Sequence, residues 1–156
     1  MTLTQAQVDH FWDRGYVFPV PVMSREDAAH YRRQLEAYEA ATGGPIAGNL
    51  RHKTHLLFTW ADAIARNENV LDAVESLLGP DIFLWGSSFF IKEPGTTSYV
   101  SWHQDATYWG LSAPEAVTAW IAITPSTPES GCVRVLPGTH GAQLTHVDSG
   151  DPDNLL

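Results

Sequence analysis

The sequence predicts an α+β domain with helices first and strands after. Three observations carry this. Two segments near the front pair a capping residue with helical spacing and stop at a glycine, and a third helical run stops at Gly79-Pro80. Beyond Asp81 the apolar segments become short, β-branched or aromatic. Turn residues separate them, as in an antiparallel sheet that curls or closes on itself.

Thr4 and Gln7 have the spacing of a capping box, after which Val8, Phe11 and Trp12 share one helical face and Gly15 supplies a stop. The stretch Tyr16 to Val22 is β-prone but holds Pro19 and Pro21, which suits a sheet edge or an extended connector. Ser24 opens a second helix with Glu26 and Asp27 in its first turn, and Ala28, Tyr31, Leu35 and Tyr38 keep the period until Gly43-Gly44-Pro45. Arg51 to Phe58 favours a strand weakly. A third helix is expected from Asn69 to Leu78. The predicted strands are Ile82–Trp85, Phe89–Lys92, Val117–Ile123 and Cys132–Leu136, with Pro94-Gly95, Pro125-Ser126, Glu129-Ser130-Gly131 and Pro137-Gly138 between them. One domain over 1–156 follows, mainly helical in 1–80 and mainly β in 81–145.

Composition supports a single globular core: 156 residues, 44% hydrophobic and 17% charged. The formal net charge of -9 with no run of Lys or Arg disfavours a nucleic-acid binder and a membrane-surface helix. The only cysteine, Cys132, cannot form an intrachain disulfide. The first residues lack the basic and apolar blocks of a signal peptide, and no apolar run reaches membrane-spanning length. The expectation is a soluble, cytoplasmic protein.

Chemistry concentrates in Trp102-His103-Gln104-Asp105. In extended backbone, side chains two apart point the same way, so His103 and Asp105 present an imidazole nitrogen and a carboxylate to one point while Gln104 faces elsewhere. A neutral nitrogen donor with an anionic oxygen is two-thirds of the facial triad of two histidines and one carboxylate, which leaves iron(II) open positions for a chelating co-substrate and dioxygen. A bare His-x-Asp is weak alone, because a histidine hydrogen-bonded to a nearby carboxylate in a loop looks the same.

The chain resembles the phytanoyl-CoA dioxygenase family in four places, in order. Phe11-Trp12-Asp13-Arg14-Gly15-Tyr16-Val17 looks like that family's first helix and following strand, and His103-Gln104-Asp105 with Tyr108-Trp109 like its metal motif. Val117 to Ile123 is similar to the next strand, and Gly131 to His140 to its glycine, hydrophobic strand and Pro-Gly-Ser/Thr-His turn. The resemblance implies helices packed on a double-stranded β-helix of jelly-roll or cupin-like type. It implies 2-oxoglutarate-dependent hydroxylation of a small organic molecule, with Fe(II) at His103 and Asp105, 2-oxoglutarate as co-substrate, and O2. Relatives that chlorinate carry a small residue at the carboxylate position, so Asp105 favours hydroxylation.

By the same resemblance, Lys53, Gln104 and Trp120 border the 2-oxoglutarate, and Tyr108 and Trp109 line the substrate pocket. Each has a plainer reading as surface or core, and Lys92 could replace Lys53. His140 belongs to the turn and is not the family's metal ligand; His146, His52 and His55 read as surface or packing residues. The family's second histidine ligand and its 2-oxoglutarate arginine lie downstream of that turn. The chain is therefore expected to be the N-terminal part of such a domain, a partial β-helix lacking both. Such a chain would bind iron weakly, would not turn over, and would self-associate through exposed strand edges. Two competing readings are a non-catalytic small-molecule-binding β-helix module, and a cupin-like metalloprotein using His103, Asp105 and His140.

Overall fold

In a computed structural model of the chain, residues 2–113 and 115–156 are described, and Met1 and Pro114 lie outside the described residues. Helix α1 spans Gln5–Arg14 and α2 spans Arg25–Thr42. Both open with full capping boxes. The Thr4 side chain accepts from the Gln7 backbone while the Gln7 side chain accepts from Thr4, and Ser24 and Asp27 repeat this reciprocity. Two orphan N–H groups at each helix start are satisfied without tertiary help. Gly15 and Gly43 close the helices at φ 84° and 80°, the left-handed conformation that only glycine adopts without cost.

Helix α3, Thr59–Ala65, and helix α4, Glu68–Leu78, follow. The α4 start matches the expectation because Asn67 caps it through the N–H groups of Asn69 and Val70. Helix α3 carries no such signal: its cap is Phe58, with no side-chain bond. The expected strand at Arg51–Phe58 is instead two 3-10 turns, Gly48–Arg51 and Thr54–Leu56. The buried Thr54 hydroxyl and the His55 backbone N–H both meet the Ser87 hydroxyl. Residues 87–89, distant in the chain, thus hold these turns through the Ser87 hydroxyl and the backbone bonds Thr54 N–H to Ser87 and Phe89 N–H to Arg51, rather than through a continuous ladder.

Buried residues are Leu3, Leu35, Ile46, Thr54, Ala61 and Val70, so the core lies among the helices. Rings extend it outward: Tyr38, Phe58, Trp60 and Phe89 follow one another with centroids 4.9, 5.4 and 5.3 Å apart. Phe89 thereby ties the C-terminal half to the helical layer.

The four predicted β segments are not strands here. Among the described residues, pairing is confined to two isolated bridges, His52 with Ser88 and Tyr99 with Asn154. Strand propensity belongs to a segment, but a strand exists only where a neighbour takes up its N–H and C=O groups. Without that pairing no sheet face is buried, and Phe83, Phe90, Val133 and Val135 remain exposed. The short helix α5, Ala106–Trp109, lies beside the metal motif. No helix among the described residues is long and apolar enough to cross a membrane.

Candidate metal centre

His103 and Asp105 meet, though not by strand alternation. Asp105 has helical backbone angles (φ -54°, ψ -44°) and leads into α5, so the chain bends between the two residues. The bend brings His103 Nε2 to 2.9 Å from Asp105 Oδ1, with the side chains 21% and 39% exposed. His103 Nδ1 lies 2.8 Å from the Ser101 carbonyl. A carbonyl and a carboxylate both only accept, so each ring nitrogen of His103 faces an oxygen acceptor, Nδ1 the Ser101 carbonyl and Nε2 the Asp105 carboxylate.

A ring nitrogen and a carboxylate oxygen at this distance are joined either by a shared proton or by a shared metal cation. Donors about 3 Å apart suit neighbouring positions at about 2.1 Å from one first-row cation. The residues therefore fit a divalent metal. The Thr118 hydroxyl donates to Asp105 Oδ2 in a short hydrogen bond, steadying the second carboxylate oxygen. Ser101 and Thr118 thus orient the pair from outside, a role metal sites commonly require. Sequence reasoning named neither of them; Thr118 lay unnoticed in the β-prone run and Ser101 one step before the motif.

The other predicted residues divide. Tyr108 stands edge-on to the His103 ring at 6.1 Å and is 55% exposed, and Trp109 follows it half-buried in α5. Gln104 does not face the pair. Its amide donates to the Thr139 and Ala142 carbonyls, and its oxygen accepts from Leu144 N–H. Lys53 sits in the left-handed region at φ 51°, its Nζ 6.0 Å from the Trp85 ring centroid. Trp120 is 47% exposed, and Lys92 donates to the Gly131 carbonyl.

His140 sits elsewhere: its Nε2 donates to the Trp12 carbonyl at 3.0 Å, at the end of α1, and Gly138 N–H donates to the Arg14 carbonyl. His146 comes closer than its sequence context suggested. It accepts from the Gln104 backbone N–H at 2.7 Å and stands edge-on to Tyr108. His52 and His55 meet Ser88 and Ser87. No group of three or more His, Cys, Asp or Glu side chains placed to hold a metal occurs among the described residues. The two best-formed hollows, about 270 and 240 Å³, are lined by other residues, beside α1 and at the end of α2.

Below the pair, residues 151–155 clasp 97–101. Tyr99 and Asp153 or Leu155 exchange backbone bonds, Asn154 bonds Ser101, Thr97 bonds Asp153, and the Tyr99 hydroxyl donates to Asp151. That last bond raises the Tyr99 phenol above 10.0. The Asp151 carboxyl lies below 3.8, first through the Asp153 backbone N–H and then through Tyr99.

The chain is 23% identical over 165 residues to a probable alpha-ketoglutarate-dependent hypophosphite dioxygenase of Stutzerimonas stutzeri, covering 93% of this chain and 57% of that one. It is 24% identical over 170 residues to an ectoine dioxygenase of Streptomyces avermitilis, covering 97% and 57%. The chain thus spans about half the length of the curated relatives it matches. Its fold superimposes on a solved structure of CytC3 with Fe(II) and alpha-ketoglutarate at a TM-score of 0.67 and 27% identity, over 96% of this chain and 61% of that one. The phytanoyl-CoA dioxygenase (PhyH) profile matches residues 11–153, and the chain belongs to that family.

Proposed function

We propose that this chain acts in an Fe(II)- and 2-oxoglutarate-dependent dioxygenase that hydroxylates a small molecule, with His103 and Asp105 as two of the iron ligands. The observation that carries this is the facing pair itself, Nε2 and Oδ1 2.9 Å apart with the Ser101 carbonyl on the other ring nitrogen. Relatives named for alpha-ketoglutarate, hypophosphite and ectoine support the same chemistry.

Iron with 2-oxoglutarate and O2 supplies the oxidation when bound, coupling decarboxylation of the co-substrate to hydroxylation of the substrate. The chain's own residues do the rest. The Ser101 carbonyl would hold the proton on Nδ1 when Nε2 ligates, Thr118 holds the outer carboxylate oxygen, and the Tyr108 ring stands edge-on to His103. In this reading Lys53, Gln104 and Trp120 contribute to 2-oxoglutarate binding, and Tyr108 and Trp109 to the substrate side. Gln104 does so only after releasing its bonds to residues 139–144. The chain forms one domain, works in the cytoplasm, and self-associates through the exposed apolar segments after Asp81.

Titration of the metal-free chain with Fe(II) under argon, followed by calorimetry, tests the reading. Weak binding of one ion is expected, lost in His103→Ala and in Asp105→Ala. Equal binding by wild type and His103→Ala overturns it. A cupin-like site with His140 is disfavoured because that ring is engaged at the end of α1.

A further inference from the structure

We propose that His146 is a positioning residue for the metal motif: its Nε2 captures the Gln104 backbone N–H and fixes the bend that brings His103 and Asp105 together. This rests on reading those two residues as metal ligands. Locally the bend is held by two backbone bonds, Thr107 N–H to the Gln104 carbonyl and Tyr108 N–H to the Asp105 carbonyl, which leave the Gln104 N–H to a distant partner. Asp105 caps α5 without a side-chain bond, and α5 is only four residues long. Gln104 is the residue between the ligands, so the direction of its N–H sets the relative placement of the side chains on either side.

His146 is built to hold that N–H. Its Nδ1 lies 2.9 Å from the Leu144 carbonyl, which only accepts, so the proton is on Nδ1. Its Nε2 accepts from Gln104 N–H at 2.7 Å. Both partners demand the same tautomer, and one neutral imidazole satisfies both. The ring is further steadied edge-on against Tyr108 at 5.9 Å and by the Thr107 hydroxyl at 3.4 Å from Nδ1. The Gln104 amide grips the same strap through Thr139, Ala142 and Leu144, and the Gln143 amide donates to the Thr107 hydroxyl. Residues 139–146 thus hold 104–107 as residues 151–155 hold 97–101, and within that strap His146 bonds the backbone N–H of Gln104.

The test compares wild type with two substitutions that divide the imidazole's functions. His146→Gln keeps an acceptor where Nε2 stands; His146→Asn keeps only a donor where Nδ1 stands. In the metal-free full chain, Gln104 amide exchange should accelerate about tenfold or more in His146→Asn and stay near wild type in His146→Gln. The His103 ring resonances should move from their wild-type positions only in His146→Asn. Cobalt(II) affinity should fall about 10–100-fold in His146→Asn and recover in His146→Gln. Unchanged exchange and His103 resonances in His146→Asn overturn the proposal, as does a His146→Gln variant that behaves like His146→Asn while keeping the wild-type helical signal. The metal-free spectra decide the proposal even if wild type binds no cobalt, a result that would count against the ligand reading instead.

Discussion

Replacing Gly15 with alanine probes the joint between α1 and the Pro137-Gly138-Thr139-His140 turn. Gly15 has φ 84°, and a Cβ placed there would stand 2.6 Å from His140 Nδ1, 2.7 Å from its Cγ and 3.0 Å from its Cβ. Alanine in the left-handed region costs about 1–2 kcal/mol. Displacing the His140 ring also forfeits its hydrogen bond to the Trp12 carbonyl, about 0.5–1.5 kcal/mol more. The sum is about 1.5–3.5 kcal/mol. Gly43 is the internal control, closing α2 at φ 80° with nothing within 4 Å of an added Cβ. Gly43→Ala should therefore cost only the backbone part, and the stiffening of the unfolded chain by alanine cancels between the two. Urea denaturation followed by circular dichroism measures both. In a His140→Ala background the two nearest ring atoms are gone, so the excess at Gly15 should shrink toward the Gly43 value. Equal costs at the two glycines, or an excess that survives His140→Ala, would refute the joint. The same His140→Ala protein should bind metal like wild type, because the ring serves α1 rather than the pair.

Thr118→Val removes the hydroxyl on Asp105 Oδ2 and should weaken metal binding about 10–100-fold, read by cobalt(II) titration; unchanged affinity would dismiss the orienting role. Ser24→Ala removes the α2 cap and should cost about 1 kcal/mol in the same urea assay. The Tyr99–Asp151 bond predicts a pH window. A lowered carboxyl contributes stability above its unfolded value and loses it as pH falls through the folded one, whereas a raised phenol contributes below 10.0 and loses it as pH rises past its folded value. The bond is thus complete across neutral pH and opens at either extreme. Ultraviolet titration should show a late ionisation step that Tyr99→Phe abolishes; a titration curve whose late part is unchanged by Tyr99→Phe would count against it.

What the sequence by itself determined is local. The helix caps at Thr4 and Ser24 and the stops at Gly15, Gly43 and Gly79 are each written within a few residues of the helices they bound, so capping chemistry and periodicity located α1 and α2, and apolar spacing with the Gly79-Pro80 stop located α4. The His103–Asp105 pair was legible for the same reason, the partners being two residues apart. Tertiary structure decided everything that depends on a distant partner. Val117–Ile123 and Cys132–Leu136 have strand composition but find no ladder, since pairing is a property of two segments and composition of one. Arg51–Phe58 turns in 3-10 fashion because Ser87, more than thirty positions on, meets it there. His146, set among polar residues at the chain's far end, looked idle until folding brought it forty-two positions back to Gln104 N–H. A hydrogen bond across that separation leaves no periodic trace in the sequence, because chain spacing carries no information about which loops meet in space.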